Sequence, residues 1–168
     1  MRSMKNSLLA GFMVILIGTA QAAQPEDLFD FWVGDWNVTW TNGDGTRGKA
    51  RNRIVKSTDG RLIEEHFEQD PGDPPPLLRG RSISVLHQGS GLWKQAWADN
   101  QGGFFALTAS VEGGKRVFAT ELRADGDKLR GQRMVFYAIR PESFSWDWEG
   151  TSDGGRSWTL LWRLEYRR

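Results

Sequence analysis

The chain has no cysteine and only two histidines, His66 and His87. Past its first two dozen residues it has no long apolar run. Each scarcity excludes something. Without cysteine there is neither a disulfide framework nor a thiolate nucleophile, so stability must come from packing. With two histidines and no cysteine, no metal cluster and no nucleophile–base constellation can be assembled from the motifs present. No block of Lys or Arg interrupts the sequence, so the electrostatic footprint of a nucleic-acid binder is missing. No long stretch keeps a 3.6-residue apolar period, which removes the helical fold classes.

What is present begins with a leader pattern. Arg2 and Lys5 precede the apolar run Leu8 to Ile17, and Ala20-Gln21-Ala22 places small residues where a signal peptidase reads. A bilayer span needs about 20 apolar residues, and this run has half that. Residues 1–22 are therefore expected to be a cleaved signal peptide, with 23–168 as one exported domain, periplasmic or secreted. No transmembrane segment is expected in the mature protein. Losing Arg2 and Lys5 leaves 20 basic against 21 acidic residues, close to neutrality.

Residues 25–32, PEDLFDFW, suggest one or two helical turns after Pro25. Turn signals then recur at strand-like intervals: Asn42-Gly43-Asp44-Gly45, Asp59-Gly60, Gly89-Ser90-Gly91, Gly102-Gly103, Gly113-Gly114, Asp125-Gly126, Arg140-Pro141 and Asp153-Gly154-Gly155. The segment DPGDPPPLL at 70–78 is a loop, because its prolines remove donors. Nine connections predict ten strands at about 35–41, 46–56, 60–69, 79–87, 92–98, 103–112, 115–123, 128–139, 142–150 and 156–167. Sequential hairpins of this spacing predict an all-β, single up-and-down antiparallel β-barrel, which closes so that no edge is left exposed. Outward sets such as Lys49/Arg51/Arg53 and Ser143/Ser145/Asp147/Glu149 put water, not lipid, outside it.

Period-two alternation assigns the interior. It places Trp36, Val38 and Trp40 together, then Ile63, Glu65 and Phe67, then Trp93, Gln95, Trp97 and Asp99. The last two strands add Phe144, Trp146 and Trp148, then Trp158, Leu160, Trp162, Leu164 and Tyr166. Asn52 joins the inner polar groups. An interior of indoles with a few polar groups is what a small-molecule pocket requires. Large aromatics plugging a wide barrel would read the same way. Trp36, at the start of its strand, is placed as structural.

The stretches FDFWVGDW, RNRI, LIEEHF, GRSIS, WKQAWADNQGG and TSDGGRSW, in this order, resemble a bacterial domain-of-unknown-function family of exported lipocalin-like proteins. The resemblance covers nearly all of the mature chain. Its most specific parts are Trp93-x-Gln95-x-Trp97-x-Asp99 and the late SDGGRSW. It implies a calycin-type barrel, hydrophobic-ligand binding by analogy and no established reaction. A neighbouring calycin group, the nitrobindins, holds haem through a histidine late in the chain and carries a glycine-rich G-x-W-x-G-x-G near its start. Here Trp36 is followed by Asn37, Val38, Thr39 and Trp40, and neither histidine lies in the last 81 residues. No haem or other cofactor is expected.

Thr151-x-Asp153-x-Gly155-x-x-Trp158 matches the Asp-box of sialidase propellers; a single copy reads as a hairpin turn. The sequon Asn37-Val38-Thr39 falls within a strand. Ser82 and Ser84 have no evident base nearby. A carboxylate facing an apolar interior has its pKa raised, which is how an acid or base is tuned, so Glu65 is the candidate for such work. The ligand-binding set expected from the sequence is Trp40, Glu65, Gln95, Trp97, Trp146 and Trp148, holding a small hydrophobic or aromatic molecule. The alternatives are a cofactor-free isomerase or lyase using Glu65, and a structural envelope protein with a filled barrel. Binding is preferred to catalysis.

Overall fold

The computed structural model describes residues 25–168, so the expected signal segment lies outside the described residues. Eleven strands follow in chain order: β1 Gly34–Thr41, β2 Arg47–Lys56, β3 Leu62–Gln69, β4 Arg79–His87, β5 Leu92–Asp99, β6 Phe104–Glu112, β7 Lys115–Thr120, β8 Arg123–Asp125, β9 Lys128–Arg140, β10 Ser143–Thr151 and β11 Thr159–Arg167. Ten of them form a closed antiparallel ring, as the turn spacing predicts. Closure comes from β11 pairing back onto β1 through Asn37↔Arg167, Val38↔Tyr166 and Thr39↔Glu165. β8 stands apart from the ring and pairs only with the start of β9. Among the described residues, no helix is long and apolar enough to cross a membrane.

Alternation is what makes these segments strands of a barrel. In β2, Gly48, Ala50, Asn52 and Ile54 are buried while the cations between them are exposed. A half-buried pleated surface of this kind is stable only when its inner face meets other inner faces, and ring closure supplies them.

The meander gives the barrel two ends. At one, the connections are short turns, and the segment Pro25–Trp32 folds into two three-residue 3-10 turns, Pro25–Asp27 and Asp30–Trp32. Phe29 and Trp32 from this segment are buried in the lumen. Phe29 stacks on Phe118 at 4.5 Å and meets Trp93 edge-on at 5.9 Å. Three strands hold the segment by its backbone. The Trp93 indole N–H donates to the Pro25 carbonyl (2.7 Å), Lys56 Nζ to that of Glu26 (2.8 Å) and Arg116 Nε to that of Leu28 (3.3 Å). This is the closed end. The open end carries the longer connections, including the proline loop 70–78.

The structure corrects two assignments. Trp158 and Leu160 do not face inward. A β-bulge at Trp148/Glu149 pairs Trp148 with Trp162 and Glu149 with Leu160, so Leu161 is the extra residue. One extra residue inverts the parity of everything before it. Leu160 is therefore exposed, and Trp158 packs on the outward Arg133 guanidinium at 4.1 Å. The seventh strand also ends early, at Thr120, where the chain leaves the ring to form β8.

The Asp-box is a hairpin device, as expected. Asp153 accepts from the Ser157 amide (3.0 Å) and hydroxyl (2.6 Å), and Gly154 and Gly155 take the positive φ the turn demands.

Candidate functional site

β3 carries Ile63, Glu65 and Phe67 on its inner face, and the flanking strands place polar groups beside the middle one. Asn52 Nδ2, from β2, donates to Glu65 Oε1 at 2.7 Å. The Ser82 hydroxyl, from β4, donates to Oε2 at 2.7 Å. Asn52 Nδ2 also donates to the Tyr166 hydroxyl oxygen at 3.2 Å, and the Tyr166 ring stacks on Phe144 at 4.3 Å. Glu65 thus sits between the packed closed end and the lumen above, with two neutral donors and no cation.

Burial dominates its electrostatics. Desolvation raises the Glu65 pKa to about 7, against the partial help of the bonds from Asn52 and Ser82. Burial, and secondarily the Glu65 charge, push the Tyr166 phenol far above its ordinary range. Ser82, which the sequence left without a neighbouring base, has this carboxyl as its partner. Asn52 and Ser82 are the hydrogen-bond partners of Glu65, while Gln95 bonds to Ser84 instead. The buried Asn52 Oδ1 and Gln95 Oε1 have no hydrogen-bond partner.

Above this carboxyl lies a cavity of about 150 Å³. Trp97, Trp146, Trp148 and Trp162 wall it with Phe67 and Phe105, while Glu65 and Tyr166 line its inner part and Asp99 stands on the mouth strand end. Trp146 and Trp148 lie parallel, and Trp162 meets Trp146 edge-on at 6.1 Å. Gly80 sets the position of Trp97: a Cβ there would fall 2.0 Å from the indole. The Trp97 N–H is tied to Asp99 Oδ2 at 2.9 Å. Partial burial works against the Asp99 carboxylate. The bonds from Trp97, Gly103 and Gln101 outweigh it, so its pKa is lowered.

Four of the six residues expected from the sequence come together at this cavity: Glu65, Trp97, Trp146 and Trp148. Trp40 and Gln95 do not line it. Trp40 lies over Gly48, donates to Asn42 Oδ1 (2.8 Å) and backs Trp162 edge-on at 5.2 Å. Gln95 donates to the Ser84 hydroxyl at 3.0 Å, one step nearer the closed end. Sequence reasoning missed Phe105, Met134 and Leu78. Parity with buried Leu107 and Ala109 was the available signal for Phe105; Leu78, in the proline loop, had none. Phe105 also borders a surface groove of about 660 Å³, where β6 extends past the end of β7 and Phe104 to Ala106 lack a partner on that side.

Fold and cavity together define a closed, ten-stranded up-and-down β-barrel with an aromatic lumen closed at one end. Among solved structures, an S-type phycobiliprotein lyase from Guillardia theta is similar in fold, with a TM-score of 0.51 and 12% sequence identity over 87% of this chain and 93% of that one. No family model and no curated protein matches the sequence.

Proposed function

We propose that this protein is a ligand-binding barrel, exported by its N-terminal leader to the periplasm or beyond, as the resemblance to exported lipocalin-like proteins implies. It takes a small hydrophobic or aromatic molecule. The observation that carries the reading is the 150 Å³ cavity walled by four indoles above a buried carboxyl. Apolar cavities of about this size hold a single benzene ring, whereas sites for drug-sized ligands are roughly 300–1,000 Å³. The guest is therefore about one ring in size. A filled structural barrel would have no such space.

The fold neighbour is named for a lyase, but at this identity it lends the barrel and not a substrate. An acid–base enzyme needs a second titratable group in reach of Glu65. The nearest, Tyr166, is linked to it only through Asn52, so binding is the better-supported reading. Titrating indole while following tryptophan emission and melting temperature tests it. Binding shifts the emission and stabilises the fold with the logarithm of ligand concentration over Kd. Flat responses to indole and to single-ring aromatics such as phenol, with no retained mass in native mass spectrometry of periplasmic protein, sink the proposal. N-terminal sequencing of that material tests export: the chain begins at Ala23 or Gln24.

A further inference from the structure

We infer that the cavity selects a small organic cation of the methylated-ammonium class. This rests on the ligand-cavity reading above and goes further, to the charge of the guest. Glu65 and Asp99 are carboxyls, and among the described residues lining the cavity there is no Lys, Arg or His. The walls are aromatic faces, four of them indoles, and the face of an indole is the best side-chain partner for a cation, effective within about 6 Å of the ring centroid. In a space of 150 Å³ a guest's charge cannot be far from several of these faces.

Three comparisons favour this guest over others. An anion would face two carboxyls and the negative faces of the rings. A neutral apolar guest would displace water and leave Glu65 with only the neutral donors Asn52 and Ser82; a cation supplies the missing counter-charge. A primary ammonium carries three donors, each needing an acceptor. Each oxygen of the carboxyl that reaches this cavity's inner end already accepts one bond, from Asn52 and from Ser82, which leaves few acceptors for three N–H groups. A quaternary, fully methylated ammonium has no N–H and asks for no hydrogen bond.

The reading has a proton signature. The groups facing Glu65 are Asn52 from β2, Ser82 from β4 and Tyr166 from β11, with Asp99 of β5 lining the same cavity. Burial keeps the Tyr166 phenol neutral, and the hydrogen bonds to Asp99 keep it ionised. Glu65, at about 7, is the group that changes charge near neutrality. Seating a cation beside it favours the carboxylate, and the carboxyl proton leaves to solvent.

The probes are choline, its neutral carbon isostere 3,3-dimethylbutan-1-ol, and indole as a neutral aromatic, titrated by tryptophan emission and calorimetry into the mature protein at pH 6 and pH 8. Choline binds at least about tenfold more tightly than the alcohol at pH 8, a cation–π and counter-charge difference. Its affinity falls about tenfold by pH 6, following the ionised fraction of Glu65, while that of the alcohol stays level. Glu65→Gln removes the pH dependence and narrows the choline preference. The wild-type isostere comparison stands even if that variant folds poorly. If the alcohol binds as tightly as choline, or choline binding does not change with pH, the inference is overturned. If indole binds and choline does not, the cation falls and the ligand cavity survives. If none of the three binds, the cation falls, and the cavity falls with it when the single-ring aromatics and native mass spectrometry are also negative.

Discussion

Tryptophan fills both ends of this barrel, and the two ends behave differently. At the closed end Trp36 and Trp93 are 1% exposed, and their N–H groups donate to the carbonyls of Trp32 and Pro25 in the N-terminal segment. At the open end Trp97 and Trp40 direct theirs to the mouth residues Asp99 and Asn42, and Trp146, Trp148 and Trp162 stay partly exposed. Both sets come from the same alternation of residue types on similar strands. What separates them is a piece of chain. Residues 25–32 place Phe29 and Trp32 in the lumen at one end, and no described segment fills the other. Aromatic lining becomes core where chain fills the space and a cavity where it does not.

The largest test of that contrast is truncation. Phe29→Ala, in the plug, destabilises by about 3–5 kcal/mol, because its fully buried ring is replaced by a void. Trp148→Ala costs markedly less, about 1–2 kcal/mol, since the indole already borders empty space and water. Chemical denaturation of both variants measures this. Equal losses would break the distinction between packed and open ends.

Next is Glu65→Gln, read against pH. The folded pKa of about 7 stands above the ordinary 4.5. Folded protein therefore keeps a proton that the unfolded chain loses between those values. The stability associated with that proton is full below about pH 4.5 and is lost as the pH rises through 7. Wild-type stability declines across this window, by about 3 kcal/mol, and the Gln variant does not follow it. Urea melts at pH 4.5 and 8 measure the difference. A variant less stable than wild type at pH 8 would mean that the carboxylate, not the acid, is the form the fold supports.

A smaller effect sharpens the account of the open end. Gly80→Ala puts a methyl group where the Trp97 ring lies. The indole must swing away, at a cost of about 1–3 kcal/mol for overpacking. Trp97 emission should move to the red and the indole response should weaken. Unchanged fluorescence would show that the ring is not held by this glycine. Smallest is Asp153→Ala at the exposed hairpin turn. It loses the Ser157 bonds and lowers the melting temperature less than Gly80→Ala, with ligand response intact.

The barrel was legible because its information is local. Turn steps such as Gly113-Gly114 and Asp125-Gly126 mark hairpins within a few residues, and period-two alternation sorts each strand's faces without knowing its neighbours. Glu65 among apolar inward residues was visible on the same ground. The errors arose where one residue changes the count. In β11 the bulge at Leu161 turned Leu160 outward and left Trp158 on the barrel's surface. In β6 the adjacent Phe104 and Phe105 look alike in sequence, yet Phe104 is 71% exposed and Phe105 lines the cavity.

By itself, then, the sequence determined the ten strands of the ring, their antiparallel order and which residue types face inward, because turn geometry and pleating act over a few residues; the short β8 outside the ring it did not. Tertiary structure alone decided which inward residues share a space. The partnership of Glu65 with Asn52, Ser82 and, through Asn52, Tyr166 spans 114 residues of chain between Asn52 and Tyr166 and exists only once β11 closes onto β1. Trp40 and Gln95 were placed inward correctly by pattern; the position of Trp40 behind Trp162 and that of Gln95 one layer nearer the closed end set them apart from the cavity. Whether an indole lines a void or fills one depends on what else occupies the lumen, and alternation along one strand carries no record of that.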